Sequence, residues 1–298
     1  MEDRFHLRSD RDNVRIDVYL SEMLSLPRSK VKRMIEEGHV RVDQRVPKSS
    51  FKVRKDIEIE GEITREEPTL LVAEDIPVRV LYEDDALLVI DKPKGMVVHP
   101  SCGHRAGTLV NAILSHVTEA GLGDERPGIV HRLDKGTTGV IIVAKDRLSQ
   151  EALSHQFHDR TVEKVYRAVV EGVMERDEGV VEGAIGRHPT DRLRMDLVAR
   201  GGRHSLSRFK VIERLRGFTY VEVYPKTGRT HQIRVHMSHA GHPIVGDELY
   251  GKRAKKLAER PLLHAYRITF DHPVKGGRMS VEAAIPADIE TFVRDHAW

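Results

Sequence analysis

The run HRLDKGTTGVIIVAK, residues 131 to 145, constrains this chain more than any other stretch of it. Its second half predicts an apolar strand entered through a Gly-rich turn. Its first half sets one carboxylate, Asp134, at the edge of that strand between Arg132 and Lys135. A carboxylate among cations is held ionised, which suits it to act as a nucleophile or base rather than as an acid. Asp ahead of Gly and Thr is also what an ordinary turn prefers, so the run by itself has a purely structural reading too.

Three further segments stand beside it: DKPKGMVVHP at 91 to 100, KVYRAVVEG at 164 to 172, and TGRTHQIRVHMSHAGHPIVGDELYG at 227 to 251. In order and spacing, the four together resemble the RluA-type RNA pseudouridine synthases, most closely the RluD-like branch that modifies large-subunit ribosomal RNA. The likeness runs from about residue 14 to nearly the end of the chain.

A length of 298 residues leaves room for two unequal domains. With 39% hydrophobic and 32% charged residues the balance is that of a soluble globular protein, not of a disordered one. The net charge of +3 argues weakly for an anionic partner, but its distribution says more. Between Arg28 and Lys55 ten basic residues face three acidic ones, a density that attracts a phosphate backbone if it is not simply a solvated helix face. A single cysteine, Cys102, excludes an intrachain disulfide. The start, MEDRFHLRSD, lacks the regions of a signal peptide, and no apolar run approaches the roughly 20 residues of a membrane span. A soluble, cytoplasmic monomer with no membrane partner is expected.

Residues 1–13 carry no periodicity and are expected to be a mobile tail. From 14 to 61 the pattern is that of a small module. Pro27 and Ser29 open a helix with Val31, Met34 and Ile35 on one face, Gly38 ends it, Val40 and Val42 alternate with polar residues, and a turn falls at Asp43 and Gln44. This module resembles the S4 RNA-binding domain, which implies phosphate contacts from Arg28, Lys30 and Arg33. The acidic stretch 62–76 reads as a linker. From 77 to 298 short apolar strands alternate with helical segments such as TLVNAILSHV, an α+β pattern with a mixed or antiparallel sheet. The resemblance adds the topology: a pseudouridine synthase core, with a long bent sheet around a central cleft.

Turning uridine into pseudouridine breaks the bond from C1′ to N1, rotates the uracil and rejoins it through C5. No atom enters or leaves, so the reaction requires neither redox cofactor nor metal. The resemblance assigns the reacting group to Asp134. It pairs Arg234 with that carboxylate through a planar donor fork, stacks Tyr166 on the target base, and makes Arg132 a wedge or phosphate clamp once the nucleotide has left its stack. Without the motifs, Arg234 would be read as a surface charge, Tyr166 as a core aromatic and Arg132 as half of a salt bridge. Glycosidases use two carboxylates at a sugar carbon; no second one stands in a matched motif.

The expected partner is large-subunit ribosomal RNA or its precursor subunit, at helix 69, with HPTDRLRMDLVARGGRHSLSRFKVIERL as the region that favours this branch. Residues 251 to 263 are shorter than in many such sequences, which implies a trimmed substrate loop. Transfer RNA and other ribosomal uridines are the rival substrates, and an RNA-binding assembly factor without catalysis is the rival of another class. His231, His236, His239 and His242 crowd one segment, but no acidic residue or cysteine stands among them at ligand spacing, so a metal-dependent hydrolase is not the expected reading. For His99 and Cys102, close in sequence, no motif marks the orienting residue that a nucleophilic pair needs.

Overall fold

The computed structural model describes residues 3–63, 72–99, 106–117, 127–191, 193–251 and 257–298. Cys102 and residues 252–256 of the shortened segment lie outside them. The chain divides into two compact units, residues 1–70 and 71–298. The division falls within the expected linker, which is narrower than 62–76: Glu62 and Ile63 end a strand, and the Glu74 N–H donates to Asn111 O at 3.0 Å.

In the N-terminal unit apolar residues recur at helical spacing. Helix α1 (Ile16–Met23) buries Ile16, Tyr19 and Leu20, and α2 (Arg28–Glu36) buries Val31, Met34 and Ile35, the i, i+3, i+4 stripe of a core-facing helix. Strands β1 (Asp3–Arg8), β3 (Val40–Val42) and β5 (Glu58–Ile63) form an antiparallel sheet with β5 central; β2 (Val14–Arg15) pairs with β4 (Lys52–Val53). Val40, Val42, Val53 and Ile59 join the helices in one core. Gly38 leaves α2 at φ +83°, and Asp43 and Gln44 make the expected tight turn with φ of 47° and 63°.

One expectation changes here. Residues 3–8 are not a mobile tail: β1 runs along β5, with Leu7 opposite Ile59, and Phe5 and Leu7 pack on the core. Their period-2 alternation with polar residues is a strand signal, hidden by the surrounding charge. Arg28, with about half of its side chain exposed, is ion-paired within the unit. Its Nε and Nη2 donate to Asp17 at 3.0 and 2.9 Å, and Arg15 holds the other side of the same buried carboxylate. Hydrogen bonds from Arg15 and then Arg28 hold the Asp17 carboxyl below its ordinary range against the opposing effect of burial.

The second unit is built on one ten-stranded sheet. Its strands are β6 (Arg79–Glu83), β7 (Leu87–Lys92), β8 (Thr138–Ala144), β9 (Glu163–Glu171), β10 (Glu178–Arg187), β11 (Met195–Leu197), β12 (Arg203–Leu215), β13 (Phe218–Pro225), β14 (Leu263–Asp271) and β15 (Arg278–Glu282). Their order is β11-β10-β12-β13-β9-β14-β8-β7-β6, with β15 on β14. Among the described residues only β14 and β8 pair in parallel, so the sheet is mixed, within the expected α+β class.

Strand β8 is buried on both faces, which is why its sequence is continuously apolar. Ile141 and Val143 pack with Leu88, Ile90 and α3 (Leu109–Ile113), and Val140 and Ile142 pack with Leu87, Val89 and Leu153 of α4 (Arg147–Asp159). Helix α3 begins where expected, with Thr108 and Asn111 forming a capping box. Helix α5 (Gln232–His239) follows β13, and α6 (Ala287–His296) closes the chain. Gly139 sits at φ +108°, where a Cβ would lie 2.2 Å from Ala265 O; the second glycine of GTTG exists to let β14 approach β8.

Arg28→Ala is expected to lower the stability of the N-terminal unit by about 1–2 kcal/mol, while Lys30→Ala stays within about 0.5 kcal/mol. Denaturant unfolding of the two variants measures the difference, and equal values would contradict the assignment.

Candidate active site

Asp134 lies in the loop just ahead of β8, where its carbonyl accepts the Thr137 N–H at 3.0 Å. The next two carbonyls are each held by a buried cation. Lys92, at the end of β7, donates from Nζ to Pro93 O and Met96 O at 2.9 Å each and reaches Lys135 O at 3.5 Å. Arg260 donates from Nη1 to Gly136 O at 3.1 Å, while its Nε and Nη2 grip Asp288 at 2.7 and 2.8 Å. The Gly95 N–H adds a bond to Lys135 O at 2.9 Å. The DKPKG segment and the end of the shortened segment therefore meet at one turn and hold Asp134 in position. Burial first, and then the charge of Arg260, push the Lys92 ammonium down to about 8.

Helix α5 brings Arg234 to the same point. Nη1 donates to Asp134 Oδ2 at 3.1 Å, but the guanidinium fork belongs elsewhere: Nε and Nη2 donate to Asp247 at 2.7 and 2.8 Å. The expected fork on Asp134 is thus corrected to a single bond, because a second carboxylate within the GDELYG run takes the bidentate face. Asp247 is 1% exposed, and its Oδ1 also accepts the Leu249 and Tyr250 N–H groups. It is saturated with donors and has no free edge for acid catalysis. Burial alone would push the Arg234 guanidinium down; the hydrogen bond and charge of Asp247, and then Asp134, outweigh it and hold the group above its ordinary range.

Asp134, Arg132, Tyr166 and Arg234 line one cavity of about 440 Å³, and the cleft continues past Asp134 toward Lys94 and Glu248. Arg132 is exposed at its wall, while Leu133 between the two is buried. Tyr166, on β9 between β13 and β14, is half-buried, packed against two core clusters. Burial and then the nearby charge of Asp134 push its phenol up, so the hydroxyl keeps its proton at neutral pH. Besides Arg234, the cations on this wall are Arg132, Arg160, Lys164, Arg203, Lys226 and Arg229; among the described residues Asp134 is the only carboxylate there. Burial, with Lys226 and Arg160 adding, pushes Lys164 down to about 8, and Arg229 is lowered by burial, Arg203 and Arg160. Such crowding favours an anionic occupant.

Gln232 holds the loop that carries this wall. Its Oε1 accepts from Thr227 Oγ1 at 2.7 Å and Arg229 N at 3.0 Å, and its Nε2 donates to Leu206 O and Ser207 Oγ at 3.0 Å each. The histidines of the segment are spread among separate partners. His236 Nε2 meets Ser205 Oγ at 2.9 Å, and His242 Nδ1 meets Glu171 O at 2.9 Å. Among the described residues no three His, Cys, Asp or Glu side chains gather as metal ligands. Of the residues singled out in sequence, Arg28, Lys30 and Arg33 lie in the other unit. Sequence reasoning missed Asp247, Gln232, Lys92 and Arg260; the first three stand inside the motifs already marked, and only Arg260 lies outside them.

Asp247→Asn is expected to cost about 3–5 kcal/mol of stability, since it leaves a buried guanidinium without its charge partner. Asp134→Asn, at the open end of the same guanidinium, should cost less than about 1 kcal/mol. Denaturant unfolding distinguishes the two, and the reverse order would contradict the geometry.

The RNA pseudouridylate synthase family matches residues 86–239, and the S4 domain matches residues 14–59. The chain is 38% identical to the Bacillus subtilis protein named "Uncharacterized RNA pseudouridine synthase YlyB", over 96% of this chain and 95% of that one. It is 42% identical to "Ribosomal large subunit pseudouridine synthase D" of Neisseria meningitidis serogroup A (92% and 76% covered) and 41% identical to the protein of the same name in Pseudomonas aeruginosa (88% and 85%). Among solved structures it is similar to human RNA Pseudouridylate Synthase Domain Containing 4, with a TM-score of 0.56 and 26% identity over 71% of this chain and 90% of that one. The second unit, with its mixed sheet and carboxylate-bearing cleft, is the part the synthase family matches, and the chain belongs to the RNA pseudouridylate synthase family, with an S4 domain ahead of the synthase domain.

Proposed function

We propose that this chain isomerises uridines of large-subunit ribosomal RNA to pseudouridine, with the stem-loop of helix 69 as its target and Asp134 as the reacting group. The observation that carries the reading is the asymmetry of the cavity: one carboxylate among seven cations, beside an aromatic ring. A volume of about 440 Å³ suits a single nucleoside. Cations on its walls suit the phosphates that must run past it. Two relatives carry the name "Ribosomal large subunit pseudouridine synthase D", which supports the substrate class.

A base in a stacked stem cannot enter such a cavity, so the target uridine is flipped out, with Arg132 at the mouth as wedge or phosphate clamp. Asp134, hydrogen-bonded to Arg234, either adds to the ribose or uracil or removes a ribose proton as the bond from C1′ to N1 breaks. The cavity retains the free uracil, which turns and rejoins through C5. The ring of Tyr166 stacks on the uracil, and its hydroxyl, protonated at rest, is placed for a proton transfer. Arg28, Lys30 and Arg33 of the S4 unit add phosphate contacts, Arg28 while also paired with Asp17.

The test is pseudouridine mapping on large-subunit RNA from cells that lack the endogenous activity, after incubation with wild type or Asp134→Asn. New signals in helix 69 with wild type alone are expected. Signals confined to transfer RNA would overturn the substrate, and equal signals with Asp134→Asn would overturn the role of the carboxylate. Tyr166→Ala should lose roughly 1–3 kcal/mol of stacking, about tenfold to a hundredfold in kcat/KM, while Tyr166→Phe retains most of it; a Phe variant as poor as Ala would move the weight from the ring to the hydroxyl.

A further inference from the structure

His231 stands on the cavity wall in the left-handed backbone region, as does Arg160 at the end of α4. His231 precedes α5 with φ 57° and ψ 19°, an uncommon state for a residue with a bulky side chain. The result is an imidazole held edge-on between two groups. Nδ1 lies 3.0 Å from Tyr250 Oη, and Nε2 lies 3.9 Å from Asp134 Oδ2.

Which nitrogen carries the proton follows from the phenol. Tyr250 is 5% exposed, and its oxygen already accepts the Met195 N–H at 2.8 Å. If His231 carried its proton on Nδ1, the phenol oxygen would accept twice and its own buried O–H would have no acceptor there, which is costly. The same tautomer would turn the lone pair of Nε2 toward the carboxylate of Asp134. If Tyr250 donates to Nδ1 instead, both conflicts vanish, and the Nε2 proton faces Asp134. The ring of Tyr250 is itself fixed, with the Arg234 guanidinium 5.1 Å from its centroid and that of Arg194 5.3 Å away.

We propose that Tyr250 and His231 are positioning residues for Asp134: the phenol locks His231 as the Nε2–H tautomer, and that N–H orients the carboxylate. At 3.9 Å the contact is electrostatic rather than a formed hydrogen bond, and it shortens as the nucleoside displaces water. Burial lowers the imidazole's proton affinity, the charge of Asp134 opposes this, and Arg234 reinforces it, so His231 acts as a neutral donor. Because Met195 belongs to β11, the relay also ties the reacting carboxylate to the edge of the sheet. The role in turnover rests on the reading of Asp134 as the reacting group; the tautomer does not.

The test uses the full-length chain labelled with 15N-histidine, with the His231 signal identified by its loss in His231→Gln. Wild type without RNA should show Nε2 protonated and Nδ1 bare, and Tyr250→Phe, which keeps the ring and removes the hydroxyl, should lose that preference. In single-turnover assays Tyr250→Phe should slow pseudouridine formation about tenfold with RNA affinity within about twofold of wild type. A wild-type imidazole protonated on Nδ1 overturns the proposal even if Tyr250→Phe does not fold. A Tyr250→Phe rate equal to wild type overturns it as well. A wild type with the expected tautomer but no activity on ribosomal RNA would instead count against the proposed substrate.

Discussion

The guanidinium of Arg234 is the interaction on which the site depends, because it is shared unequally between two carboxylates. Asp247, fully buried, takes the bidentate face and two backbone N–H groups as well; Asp134 receives one N–H and keeps about a fifth of its side chain exposed. The consequence is a division of labour. The buried pair fixes the arginine in place, and the fixed arginine presents a single charged donor to a carboxylate that remains open to the cavity. A lysine at position 234 has no planar fork and cannot serve both partners.

The backbone around Asp134 is restrained by the same principle of satisfied buried charge. Two buried cations, from β7 and from the segment ahead of β14, direct their N–H groups at consecutive carbonyls of the turn that follows Asp134. Cations out of water are costly unless every donor finds an acceptor, and a tight turn with several inward carbonyls provides them. The turn is thereby rigid, and Gly139 allows β14 to pack against β8 just beyond it. Preorganisation of this kind holds the Asp134 carboxylate toward the cavity without spending binding energy on ordering it.

Local features were legible in the chain. The buried strand after Asp134, the stripe of α2, the turn at Asp43 and Gln44 and the capped start of α3 all follow from short-range period or turn chemistry. The four motifs marked Asp134, Arg132, Tyr166 and Arg234, and these do line one cavity. What escaped was pairing between distant residues. Asp247 reads as an ordinary turn residue until α5 sets Arg234 against it, and Lys92 and Arg260 look like surface cations because nothing in their neighbourhood announces the carbonyls they meet. The pairing of Arg28 with Asp17 is hidden in the sequence for the same reason, since Asp17 lies in another helix. The strand at residues 3–8 was missed because it is short and heavily charged, although Phe5 and Leu7 alternate correctly.

The most direct test of the central claim is the single-turnover rate of pseudouridine formation by Arg234→Lys on the proposed ribosomal RNA substrate, with RNA affinity measured in parallel. If a guanidinium bridging Asp247 and Asp134 is what orients the reacting carboxylate, the rate should fall by at least about a hundredfold, in the range seen when a charged positioning hydrogen bond is lost, with RNA affinity largely kept. A variant that turns over at close to the wild-type rate would contradict the account, since a positive charge alone would then suffice.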